Sequence, residues 1–325
     1  NTIYPIDTYV QSSADNSPKY EGKFEGAETP TLPVKTSQWE KSKWGKIKST
    51  PYGNTLTLDM AKAAIDNEQL GNGAVTDFLA VSLSSTDYVG HQFGPNAVEV
   101  EDMYLRLDKD LAAFFTYLDG KVGKGAYTVF LTADHAVAHN PAFLTDNKIP
   151  AGVWKDPAKQ LNSYLEEKFK QKNIIHSIGQ YQVNLNYKVI GEAKLDEEAI
   201  KSESIKFLEK QPDIALAVDM RKAQTTSIPH DLRERIINGY NIERSGVIQI
   251  ILKPGYFQGG STGTTHGTWN PYDAHIPLVF MGWGVKHGNL TRETHMTDIA
   301  PTVAALLHIQ APNGNIGKTI SEVLK

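Results

Sequence analysis

The chain of 325 residues contains no cysteine. Disulfides and thiolate metal sites are therefore excluded, and any transition metal must be held by His, Asp and Glu. It also has no basic excess: 37 acidic residues outnumber 33 basic ones, for a net charge of -4. The two signs are mixed along the chain, which argues against a nucleic-acid partner, because such a partner calls for a clustered basic stripe. No apolar run is long enough to cross a bilayer. The first residues, Asn1 to Asp7, lack the basic start and apolar stretch of a leader. A leader already removed would leave no trace.

What remains is an ordinary globular composition, 40% hydrophobic and 22% charged, with enough apolar material for a sizeable core. The length suggests one large domain, or a core with an insertion. Residues 1–55 are rich in Ser, Pro, Gly, Lys and Glu and read as a loop-like lead-in. Helical spacing begins at Leu56 and stops near Gly71. The apolar run Asp77 to Ser85 reads as a strand buried on both faces. A helix over about Val98 to Leu118 carries Met103, Leu107, Leu111, Phe114 and Leu118 on one face. A second buried strand follows at Tyr127–Thr132. Strand, helix, strand in this order is a βαβ unit, so the sheet should be partly parallel; the fold class expected for the whole chain is α/β, with a doubly wound, mostly parallel sheet. The segment 155–223 differs. Charged helices near Ala158–Gln171 and Asp196–Glu209 flank the alternating Tyr181, Val183, Leu185, Tyr187 and Val189, and Ile214–Val218 closes it. This predicts a smaller α+β cap inserted between core segments 56–154 and 224–325. The second core segment holds strands at Val247–Leu252 and Ile276–Met281, and a closing helix at about Thr297–Leu307.

Three places carry candidate chemistry, each just after a strand or in a Gly-rich loop, where open α/β sheets bind ligands. The first is Ser84-Ser-Thr-Asp87-Tyr-Val-Gly-His91. One helical turn there would point Asp87 and His91 the same way. The second is Leu131-Thr-Ala-Asp134-His135, where adjacent Asp and His on a loop can share an ion. The third is Gly259-Gly-Ser-Thr-Gly-Thr-Thr-His266-Gly, where glycines allow close approach of backbone to an ion or phosphate. Each motif alone has a bland reading: a capping Asp, a surface His, a flexible loop. Together they offer five N/O ligands, too many for one tetrahedral zinc, so two metals are implied. His139 and His275 are placed as supporting neighbours, and Trp269 and Tyr272 flank the third loop.

These lines resemble the alkaline-phosphatase superfamily, in particular its phosphate-irrepressible periplasmic branch with a Thr nucleophile. The lines that carry the likeness are Ser-Thr-Asp87-Tyr-Val-Gly-His91-Gln-Phe-Gly-Pro, Phe-Leu-Thr-Ala-Asp134-His135-Ala, Thr-His266-Gly-Thr-Trp-Asn-Pro-Tyr-Asp-Ala-His-Ile-Pro-Leu-Val-Phe-Met-Gly, and the ending Met-Thr-Asp298-Ile-Ala-Pro-Thr-Val-Ala-Ala-Leu-Leu. The resemblance implies a zinc-dependent hydrolase of small-molecule phosphate monoesters, periplasmic or secreted. Asp87, His91 and His266 would hold one Zn2+, and Asp134 and His135 the other. The family's further Asp ligand, its nucleophilic Thr and its phosphate-gripping Asn and Lys/Arg pair have no counterpart in residues 1–55. The chain therefore reads as a C-terminal portion whose partner is the missing N-terminal part of the same protein. Alone it is expected to be inactive, with an incomplete second zinc site. A phosphodiesterase or nucleotide pyrophosphatase of the same superfamily is the neighbouring reading, and a non-catalytic metal-binding remnant the other.

Overall fold

In a computed structural model, the described residues are all except 1, 13–18, 25, 35–38 and 40–42. The helices are α1 (Lys43–Lys46), α2 (Pro51–Asn67), α3 (Ser85–Phe93), α4 (Val98–Leu118), α5 (Pro141–Asp146), α6 (Ala158–Phe169), α7 (Tyr187–Glu192), α8 (Glu197–Leu208), α9 (His230–Gly239), α10 (Pro271–Ala274) and α11 (Ile299–Leu306). The strands are β1 (Thr128–Thr132), β2 (Gly152–Val153), β3 (Ile175–Gly179), β4 (Gln182–Leu185), β5 (Ile214–Asp219), β6 (Ile248–Leu252), β7 (Tyr256–Phe257) and β8 (Leu278–Gly282). The α/β fold class holds. α4 has the predicted limits, because its apolar stripe recurs at helical spacing through Met103 and Phe114, both buried. Leu58, Ala61 and Ile65 of α2 pack with Phe114 of α4.

Two strand expectations need correction. The run Asp77–Ser85 is not a buried strand. Residues 76–83 carry no regular secondary structure and pair with no strand among the described residues, and Phe78 and Leu79 are exposed. Only Val81 and Leu83 reach the α2–α4 cluster. Likewise β1 is half-buried rather than buried, and its partner β8 runs antiparallel, with Phe130 opposite Phe280. Phe78 lies 6.2 Å from Phe130, which lies 6.0 Å from Phe280. The apolar run is real; the neighbouring strands that would bury it are not in this sheet. Among the described residues the one parallel pair is β2 with β7.

The largest sheet has the order β3-β4-β6-β5 and is antiparallel throughout. One apolar cluster unites it with its helices: Leu161 and Leu165 of α6, Ile200 and Leu208 of α8, and Ile248 and Ile250 of β6 are all fully buried. β6 was expected in the returning core. It lies instead between β4 and β5, so the sheet reaches beyond the predicted limits 155–223. Its all-apolar run could not reveal which sheet would bury it. Lys201 is also buried here and pairs with Asp219 at 2.8 Å and with Glu198.

Candidate metal centre

Three elements bring the candidate ligands to one place. α3 begins at Ser85 and puts Asp87 and His91 one turn apart on the same face. β1 ends at Thr132, and the loop after it presents Asp134 and His135. The long loop between β7 and α10 presents His266. Asp87, His91 and His266 can point ligand atoms within 4.8 Å of one another. Asp87 Oδ1 lies 3.4 Å from His91 Nε2, 3.8 Å from His135 Nε2 and 3.9 Å from His266 Nε2. His135 Nε2 lies 3.6 Å from Asp134 Oδ2. The His135 and His266 rings stack at 3.4 Å, and His91 sits 5.0 Å from His266. Asp87, His91, His135 and His266 thus come together from three segments, while Asp134 approaches only its neighbour His135.

Backbone carbonyls orient two of these rings. His91 Nδ1 donates to the carbonyl of Thr264 at 2.8 Å, and His135 Nδ1 to that of Ala136 at 2.8 Å. Each bond leaves Nε2 on the side of Asp87. Metal-bound histidines are fixed in this way, the outer nitrogen tied to a carbonyl and the inner one free. The donor set therefore fits zinc: neutral imidazole nitrogens and carboxylates, with no sulfur. Burial, then the neighbouring His135, holds the His266 imidazole below the usual histidine value, although Asp87 partly opposes this. A neutral imidazole is the form that binds metal.

The His266 loop is pinned to α3. The Thr264 N–H donates to the His91 carbonyl at 3.0 Å, and the Gly263 N–H to the Tyr20 carbonyl at 2.8 Å. Gly263 has φ +69, and a Cβ there would stand 2.0 Å from the His91 carbonyl oxygen. Only glycine permits this approach. Asn140 donates to the Gly263 carbonyl at 2.6 Å, and the Thr264 hydroxyl to the Ala138 carbonyl. Thr264 is thereby tied off as a structural hydroxyl.

Asp273 is a residue that sequence reasoning passed over. It is 3% exposed. Its Oδ2 accepts from the Thr268 N–H at 2.6 Å and the Thr268 hydroxyl at 2.8 Å, and its carbonyl accepts from the Ala136 N–H at 2.8 Å. It thus joins the His266 loop to the His135 loop. The available signal was an acidic residue in the short Pro271–Ala274 turn, between the His266 loop and the last apolar strand. The expected supporting residues are placed differently. His139 is half-buried, bonded through Nδ1 to Asn96 at 2.7 Å and stacked on Phe143 at 5.5 Å; burial lowers its pKa. His275 is exposed and ends α10. Trp269 packs against Val218, Met220, Ala223 and Ile236. The Tyr272 hydroxyl accepts from the Gly255 N–H at 3.1 Å.

The sequence pattern of the type I phosphodiesterase / nucleotide pyrophosphatase family matches residues 3–275, and the chain belongs to that family. Within it, the chain is 50% identical over 327 residues to alkaline phosphatase PafA of Elizabethkingia meningoseptica, covering 100% of this chain and 60% of that protein. The wild-type PafA crystal structure superposes with a TM-score of 0.96 at 49% identity, covering 100% of this chain and 62% of that one. A Myroides odoratus protein named calcium-transporting ATPase is 56% identical over 331 residues, with 100% and 60% covered. No helix among the described residues is long and apolar enough to cross a membrane. The chain spans about 60% of the length of the curated relatives it matches, and its resemblance to the alkaline-phosphatase superfamily extends from end to end.

Proposed function

We propose that this chain carries most of the metal-holding half of a zinc-dependent phosphate monoester hydrolase of the alkaline-phosphatase type. The observation that carries the reading is the convergence of three imidazole Nε2 atoms on the Asp87 carboxylate, with two rings pre-set by backbone carbonyls. Asp87, His91 and His266 would hold one zinc, and Asp134 and His135 would contribute to a second. A bound pair of zinc ions supplies Lewis acidity at both the attacking and leaving oxygens of an in-line displacement. This chain's own residues orient that chemistry. The carbonyls of Thr264 and Ala136 fix the ring orientations, and Asp273 holds the two ligand loops in register.

The nucleophile and the phosphate-gripping cations are assigned to an upstream portion of the same protein. Supporting this, the Thr264 hydroxyl is committed to a carbonyl, Asp134 is left 84% exposed, and the β1–β8 pair leaves apolar surface uncovered on both faces, Phe78 on the Phe130 side and Val279 on the other. Such a surface suits added strands. The substrates are small phosphate esters, and the site of action is the periplasm or the cell exterior. The β3-β4-β6-β5 sheet with α6 and α8 forms a cap with its own core. The test is zinc content by elemental analysis, with p-nitrophenyl phosphate hydrolysis by the chain alone and with the upstream polypeptide. Zinc binding by the chain, with turnover only in the presence of the upstream part, is expected. Absence of zinc, or full activity from the chain alone, would refute the assignment. The family's printed description favours one second reading, a diesterase or nucleotide pyrophosphatase. A preference for bis-p-nitrophenyl phosphate over the monoester would select it.

A further inference from the structure

A cavity of about 570 Å³ lies between the lead-in segment, the start of α2, one face of α3 and the first turns of α4. That volume is in the range of small-molecule sites. Val89 and Phe93 of α3 line it. They stand two positions on from Asp87 and His91, about 200° around the helix, so the cavity and the metal centre use opposite faces of α3.

Its walls are aromatic: Phe24, Trp39, Trp44, Tyr52 and Phe93 all contribute. Phe24 lies 5.5 Å from Trp39 and 5.3 Å from Phe93. Glu99, on the first turn of α4, lines this cavity and is 6% exposed. Both of its carboxylate oxygens are buried without a side-chain partner among the described residues. The other charges in the wall are already satisfied. Arg106 Nε donates to Asp102 Oδ2 at 2.6 Å, and Asp102 Oδ1 accepts from the Ile3 N–H at 2.7 Å and from the Tyr9 hydroxyl.

A buried carboxylate with no partner is costly, and native proteins nearly always supply one. Aromatic faces attract cations. An anion would be repelled here, and a neutral apolar guest would leave the carboxylate as it stands. We propose that this cavity binds a small organic cation, an ammonium group on an apolar body, with Glu99 as its counter-ion and the aromatic rings as its walls.

The test is tryptophan fluorescence titration of the chain at pH 8 with phenyltrimethylammonium and with its uncharged isostere tert-butylbenzene. Trp39 and Trp44 are the reporters. The cation should bind about tenfold or more tightly than the isostere, the scale of a desolvated cation–aromatic contact. Glu99→Gln keeps the shape and removes a buried charge, so it should fold at least as well; it should bring the two affinities together. Near-ultraviolet circular dichroism confirms the fold, and Tyr52→Leu, which alters a wall and leaves the charge, should weaken the cation more than the isostere. Equal affinities in the parent, an unchanged preference in Glu99→Gln, or no saturable quenching would overturn the proposal. Loss of probe binding when the upstream polypeptide is added would also overturn it, by assigning the carboxylate to a basic side chain of that segment.

Discussion

Gly263→Ala is the substitution that most sharply links the backbone of the His266 loop to the metal centre. At φ +69 an alanine is strained by roughly 1–3 kcal/mol before any contact is considered. Its Cβ would also meet the His91 carbonyl oxygen at 2.0 Å, well inside van der Waals contact, and would lie 3.0 Å from that of Gln92. Both obstacles are backbone atoms of α3 and its end, so no side chain can swing aside. The loop must retreat by an ångström or more. That movement carries away the Thr264 N–H bonded to the His91 carbonyl and the Thr264 carbonyl that receives His91 Nδ1. His91 then loses the bond that fixes its ring. Loss of such an outer partner lowers metal affinity by about 10–100-fold. The assay is zinc competition against a chromophoric chelator, with thermal melting of the same samples. The expected result is a lower melting temperature and a zinc affinity reduced within that range. Unchanged zinc affinity in a folded variant would refute the claim that this loop orients His91.

Three further outcomes follow from the same geometry. His266→Ala removes one of three converging ligands and should empty that zinc site, which elemental analysis reads directly; Asp87→Ala should do the same, since Asp87 faces all three rings. The pKa values of His266 and His139 are lowered in the folded chain, each mainly by burial. The unfolded chain therefore takes up protons first on acidification, so the stability these groups contribute is present above about pH 6.5 and declines as pH falls toward their folded values. Thermal melting across pH 5–8 should show that decline, and substituting His139 by Gln should shallow it. For Glu99 the sign is reversed: burial, opposed by its own backbone N–H and aided by the nearby Asp102 charge, pushes its carboxyl up to about 7. The folded form then holds its proton longer, and stability falls as pH rises from about 4.5 to 7, by on the order of 3 kcal/mol. Glu99→Gln should remove that dependence; a pH profile identical to the parent's would contradict it.

Much of this organisation was legible where one local rule dominated. The α4 helix was placed correctly because its apolar residues recur with a single period along 21 residues. The Asp87–His91 pair was legible because a four-residue interval is one helical turn, and α3 supplies that turn. Apolar runs were harder. Residues 77–85 and 248–252 look alike in composition, yet the first is mostly exposed and pairs with no strand among the described residues, while the other is the fully buried centre of an antiparallel sheet. What separates them is the identity of their neighbours, which is set by long-range pairing. The same holds for the finer site geometry. Asp273 works through a side-chain oxygen and its own carbonyl on two different loops, and the Trp269 ring turns toward the apolar cluster under β5. Neither relation leaves a trace in spacing.

Asp87, His91 and His266 are proposed to hold zinc, with Asp134 and His135 beside them. Anomalous diffraction at the zinc edge from crystals grown with zinc tests it most directly. The expected result is a strong peak bounded by the Asp87 carboxylate and the Nε2 atoms of His91 and His266, and a weaker one against Asp134 and His135. Zinc found only at other surface histidines, with these five side chains unligated, would contradict it.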